Sequence, residues 1–114
     1  MPDYLPNSSA SIVKENKVKD YLLSTTHLEG KSKAKFFFEF GYSEDKPEEL
    51  VDSLRTHAST QPIIETEEND HGTKYVLQCS ISTPDGRSPC IITVWIIKRE
   101  DVEPMLVTAY PSEN

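Results

Sequence analysis

Polar and apolar side chains alternate from Lys74 to Ser82. Tyr75, Leu77, Cys79 and Ile81 fall on one side, and Lys74, Gln78, Ser80 and Ser82 fall mostly on the other. A period of two is the pattern of a half-buried strand. The run Pro89 to Ile97 is apolar on both sides, as a central strand covered on both faces requires. Between them, Thr83-Pro84-Asp85-Gly86-Arg87-Ser88 is a turn signal, so Lys74–Ile97 is predicted to fold as a β-hairpin.

Upstream the spacing lengthens to that of helices. Asn16 to Ser24 places Val18, Tyr21 and Leu22 on one side, with Asn16 as a candidate N-cap. A polar loop follows, Ser24 to Gly30. A second helix is predicted from a cap at Ser32 through Phe40, with Phe36, Phe37 and Phe40 on one broad face and Gly41 ending it. Asp45-Lys46-Pro47-Glu48 has the form of a capped helix entrance. Leu50, Val51, Leu54 and Ala58 then mark a third helix ending near Ser59. Ile63–Glu67 and Met105–Tyr110 complete a set of four strands.

Helices first and strands afterwards, joined by short turns, define an α+β fold. Two or three N-terminal helices pack on one face of a roughly four-stranded antiparallel sheet. Residues 1–11, rich in Pro, Ser and Asn, are expected to form a flexible arm, and 12–114 a single domain.

Composition refines this picture. The net charge of −7 over 114 residues argues against a general nucleic-acid binder, which needs clustered Lys and Arg. The charge is uneven. Ile12–Phe40 carries six lysines against Glu15, Asp20, Glu29 and Glu39, and Glu44–Asp70 carries nine acids against Lys46 and Arg55. An oriented surface is one reading, and a charge that keeps a small domain soluble is the other. No apolar run is long enough to cross a membrane and no secretion signal opens the chain, so a cytoplasmic location is expected.

Cys79 and Cys90 are the only cysteines, which excludes a four-cysteine zinc site within one chain. A hairpin turning at Asp85-Gly86 sets Cys79 opposite Ile92 and Cys90 opposite Ile81. The thiols are then diagonal neighbours on the buried face, read as reduced packing residues, with a disulfide as the alternative.

No phosphate loop, nucleophile elbow, dinucleotide fingerprint or metal-spaced histidine pair is present, so neither cofactor nor metal is expected. The histidines are His27, His57 and His71. His27 precedes Lys31, Lys33 and Lys35 at a helix start. A neutral imidazole there can act as a general base while a lysine stabilises charge on a phosphate. The alternatives are a loop-capping histidine and a solvated helix face. His57, near a helix end, fits a structural cation against the helix dipole, and His71 a turn. Arg87 at the hairpin tip can reach a phosphate or pair with Asp85. Trp95 reads as core. Thr108 and Tyr110 share one face of the last strand, where two hydroxyls either line a cleft or face solvent.

Three segments carry a family resemblance: Asp20-Tyr21-Leu22-Leu23 leading into His27-x-x-Gly30-x-x-Lys33-Ala34-x-Phe36-Phe37, then Pro84-Asp85-Gly86-Arg87 with Thr93-Val94-Trp95, and the ending Leu106 to Pro111. Together they resemble a bacterial family known as domain of unknown function 6883, which brings no established activity with it. The Thr-Ala-Tyr-Pro ending is also similar to small toxin ribonucleases of the barnase–EndoU–colicin–RelE type. Those are metal-independent and cleave RNA with side chains on the sheet face and its helix. That resemblance implies His27, Lys33, Thr108 and Tyr110 as catalytic groups, with Lys31 and Arg87 on the substrate RNA. This chain departs from the type in its acidity and in lacking a second, closely spaced helical histidine. Three readings follow: a toxin-like ribonuclease of a toxin–antitoxin or conflict system, a non-catalytic module binding a small cognate protein through its acidic segment, and a homodimer joined at a sheet edge in place of a monomer.

Overall fold

The computed structural model describes residues 3–23 and 31–112. In it the alternating run is the second of four strands: β1 (Ile63–Asn69), β2 (Gly72–Ser80), β3 (Cys90–Lys98) and β4 (Met105–Pro111). They lie in the order β1-β2-β3-β4 with every neighbouring pair antiparallel. The helices precede them: α1 (Glu15–Lys17), continued by a wider π-type turn over Val18–Leu22, then α2 (Lys31–Glu39) and α3 (Pro47–Thr60). The class is α+β, as the pattern predicts.

One face of the sheet carries the core. Leu77, Ile81, Ile91, Trp95, Leu106 and Ala109 meet Val18, Leu22, Phe37, Leu50, Leu54 and Ala58 from the helices. Each large apolar side chain taken out of water there contributes about 1.5–3 kcal/mol. Phe37 is held edge-on between Phe36 and Tyr42, with ring centroids 5.3 and 5.8 Å away. Trp95 is fully buried, as expected of a core residue.

Several details differ from the sequence reading. Lys46, not Asp45, stands at the N-cap of α3 and makes no side-chain cap, and the backbone N–H of Asp45 donates to Ser43 Oγ instead. The first helix begins at Glu15 after Lys14 and widens at once, closing on a bond from Leu23 N–H to Val18 C=O of 2.7 Å. In the hairpin, Cys79 pairs with Ile91 and Cys90 with Ser80, one residue from the expected register. Cys79 is exposed rather than buried, because its φ of 146° breaks the alternation that Leu77 and Ile81 keep.

Residues 3–11, read as an arm, lie against the body. Leu5 and Ser11 are buried. Tyr4 bridges Pro62, and Ile63 N–H donates to Asp3 C=O. Further along, Ile12 bridges Met105 in parallel, exchanging bonds with Pro104 C=O and Leu106 N–H, and Lys17 Nζ donates to Val107 C=O at 2.9 Å. The start of each edge strand is therefore blunted by the chain's own first residues, which protects an open sheet from pairing with another chain.

Candidate functional site

The site is built from the last strand. Between Val94 and Trp95 the β3–β4 register slips by one residue, so that Val94 pairs with Thr108 and Trp95 with Leu106, and Val107 is left over. Leu106 and Ala109 point into the helical core. By alternation Thr108 and Tyr110 then share the opposite face. The shared face is as the sequence predicts, and among the described residues the helices that build the core pack on the other one.

That open face is apolar in its middle and polar at its flanks. The register lines up Val76, Val94 and Thr108, and beside them Gln78, Ile92 and Tyr110. Val94 is buried, whereas Tyr110 is 36% exposed. The Thr108 hydroxyl is buried and has no hydrogen-bond partner, a property shared among the described residues only by Ser11. A buried hydroxyl left unpaired is costly. Gln78 Nε2 donates to Ser112 Oγ at 2.7 Å beyond the end of β4. On the β1 side the acids Glu65 and Glu67 flank this face, and Glu67 meets Lys74 at 3.3 Å.

The other predicted site residues are placed differently. His27 lies outside the described residues. Lys31 opens α2. Lys33 is half-buried on the same helix, and α2 packs against β4. Arg87 serves the hairpin tip. Its Nε donates to Asp85 Oδ2, its Nη2 to the carbonyl of Glu39, and its guanidinium stacks 4.2 Å from the Phe40 ring centroid. The Asp85 carboxyl, though desolvation opposes it, is held below its ordinary range by bonds from Arg87 N–H, Thr83 and the Arg87 side chain. The pairing read from sequence is present, and it fastens the turn to the C-terminal end of α2, where a cation complements the helix dipole.

His57 differs most from its sequence reading. It is 1% exposed, and burial holds it below its ordinary pKa, so it is a neutral core residue and not a cation at a helix end. Nε2–H donates to Cys79 C=O at 2.8 Å. That fixes Nδ1 as an acceptor, which takes the Thr93 hydroxyl proton at 3.1 Å, while Trp95 Nε1–H donates to Thr93 Oγ1 at 2.8 Å. Sequence spacing gives no sign of this chain of bonds, which joins α3, β2 and β3.

Among the described residues no three His, Cys, Asp or Glu side chains could hold a metal ion together, and no helix is long and apolar enough to cross a membrane.

Comparison with known proteins adds two findings. No curated protein matches the chain. Among solved structures, the fold matches a chain of a contact-dependent growth inhibition toxin–immunity protein complex from Klebsiella pneumoniae 342. The TM-score is 0.72 at 13% identity, covering 94% of this chain and 97% of that one. At that identity the shared property is the fold. The sequence profile of the family described as Domain of unknown function (DUF6883) matches residues 4–113, and the chain belongs to that family.

Proposed function

We propose that this domain is a toxin-like, metal-independent ribonuclease of a bacterial conflict system. The observation that carries the reading is the unpaired Thr108 hydroxyl on the same face as Tyr110, opposite the helical core. The likeness of the fold to a chain of a toxin–immunity complex supports it. In this reading His27 takes the proton from a ribose 2′-hydroxyl, which attacks the adjacent phosphorus. Thr108 and Tyr110 orient the ribose and the leaving oxygen from the outer face of β4. Lys33, with Lys31, reaches the phosphate from α2 round the β4 edge, and Arg87 joins them only on letting go of Asp85 and the Glu39 carbonyl. The nucleophile belongs to the substrate, so RNA is cut and DNA is not.

The test is incubation of the purified chain with total RNA and with single-stranded DNA in excess EDTA. RNA is expected to give fragments ending in a 2′,3′-cyclic phosphate. Loss of a general base lowers the rate about 10²–10⁴-fold, and His27→Ala should fall in that range. Thr108→Val and Tyr110→Phe should also slow cleavage, the first while raising the thermal midpoint because an unpaired buried hydroxyl is removed, the second while leaving it nearly unchanged. Intact RNA at high enzyme concentration, or a His27→Ala variant as active as the parent, overturns the reading.

A second reading, a non-catalytic partner-binding module, rests on the acidic surface of α3 and β1, where Glu48, Asp52, Glu65, Glu67 and Glu68 are exposed. It requires a basic protein partner. Such a partner should be captured from the producing bacterium and lost as salt rises, because rim charges are screened. Capture of nothing, or of a partner indifferent to salt, rules it out.

A further inference from the structure

The two thiols of the hairpin form a cluster that neither reading of function uses. Antiparallel neighbours lie about 4.8 Å apart and residues advance about 3.4 Å along a strand. Since Cys90 pairs with Ser80, Cys79 is one residue diagonal to it, with Cα atoms separated by about 6 Å on those spacings. That is within the range a disulfide spans. In a regular strand the two side chains would still point to opposite faces. The φ of 146° at Cys79 removes that obstacle by turning its side chain out of the alternation, and the bond from His57 Nε2–H to Cys79 C=O holds the unusual backbone in place. Cys79 is exposed and Cys90 half-buried, and Cys79 lies near enough to help raise the Cys90 thiol's pKa.

We propose that Cys79 and Cys90 are a reversible two-electron redox site whose co-reactant is a low-molecular-weight disulfide such as glutathione disulfide. The Cys79 thiolate attacks one sulfur of that disulfide and expels one glutathione thiolate, leaving a mixed disulfide. Cys90 loses its proton to solvent and attacks the Cys79 sulfur. The second glutathione leaves as a thiolate and is protonated. Two protein thiols are oxidised and one external disulfide is reduced to two thiols.

In the free chain burial first, then the neighbouring Cys79, push the Cys90 thiol above the ordinary range. In the mixed disulfide the Cys79 sulfur carries no charge and burial alone remains, and since Cys90 attacks as a thiolate the second step speeds up as pH rises. Ring closure also ties β2 to β3 at the end of the sheet where Ser112 N–H donates to Cys90 C=O. Oxidation should thus make the chain more resistant to heat.

The test uses the full chain and glutathione disulfide alone, followed by intact mass and thiol titration. The expected product is a monomer lighter by two hydrogens with no titratable thiol. A transient glutathione adduct precedes it and decays faster at higher pH. The thermal midpoint of the product lies above that of the reduced chain, and dithiothreitol restores the original. Cys90→Ser should stop at the adduct, and Cys79→Ser should react more slowly than the parent. Two thiols that stay free, a stable adduct on the parent, or a disulfide-linked dimer overturns the proposal. None of these outcomes bears on RNA cleavage.

Discussion

Replacing Gly72 with alanine is expected to destabilise the chain by about 3 kcal/mol or more, a large fraction of the 5–15 kcal/mol that typically holds a domain together. Two costs add. Gly72 has a φ of +146°, a conformation that a residue with a side chain adopts only under strain. A Cβ there would also overlap the carbonyl oxygen of Ile97 and stand 2.8 Å from Cα of Lys98, which are backbone atoms of the neighbouring strand. Neither can withdraw without opening the Gly72–Lys98 end of the β2–β3 pairing. The β1–β2 turn would open with it, since Asn69 pairs with Gly72 and His71 C=O accepts from Arg99 N–H. Gly86 is the control. Its φ is +81°, but an added Cβ meets nothing within 4 Å, so Gly86→Ala carries backbone strain alone, about 1 kcal/mol. Chemical denaturation of both variants checks the contrast. Equal losses would show that the close approach at Gly72 is relieved cheaply.

That contrast also marks what the sequence could reveal. Asn69-Asp70-His71-Gly72 reads as a turn because such residues tolerate turn backbone, but nothing in the string shows that Gly72 lies against Ile97. Periodicity is local, so it exposes elements whose burial depends on one repeated direction. The strand run of β2, the apolar β3, the Leu50–Leu54–Ala58 stripe of α3 and the shared face of Thr108 and Tyr110 were legible for that reason. Contacts between distant segments were not. Leu5 is buried although its neighbours Tyr4 and Pro6 are exposed, because the body of the domain supplies a place for it. Cys79 breaks an alternation that its neighbours obey, because a histidine twenty-two residues upstream takes its carbonyl. The candidate site was half legible. One strand's alternation gave the two hydroxyls, whereas His27, the base that the proposed reaction calls for, lies outside the described residues.

His57, Thr93 and Trp95 supply the other large expected effect. Thr93→Val keeps the shape of the side chain and removes only its hydroxyl. Trp95 Nε1–H would lose its acceptor and His57 Nδ1 its donor, both in fully buried positions. Each buried polar group left unpaired costs about 1–3 kcal/mol, so a loss of about 3 kcal/mol is expected. Thr93→Ser keeps the hydroxyl and loses one methyl, about 1 kcal/mol. Serine milder than valine identifies hydrogen bonding as the cause, and the reverse order identifies packing. The same chain of bonds sets a pH dependence. Its pattern is satisfied by neutral His57, and burial holds the folded-state pKa below the ordinary value of 6.5. As pH falls through that value the unfolded chain takes up the proton and the folded chain does not. Stability is therefore fully present above about pH 6.5 and declines below it, by up to about 1.4 kcal/mol per pH unit, until the folded histidine also protonates. His57→Gln removes this titration. The stability advantage of the parent over His57→Gln should shrink as pH is lowered from 7 to 5, whatever the surface carboxylates do, because they titrate in both proteins. A difference that stays constant over that interval would mean that His57 takes up its proton equally in the folded and unfolded chain. One that grows as pH falls would mean that the buried ring holds the proton more tightly, with Thr93 accepting from both His57 and Trp95.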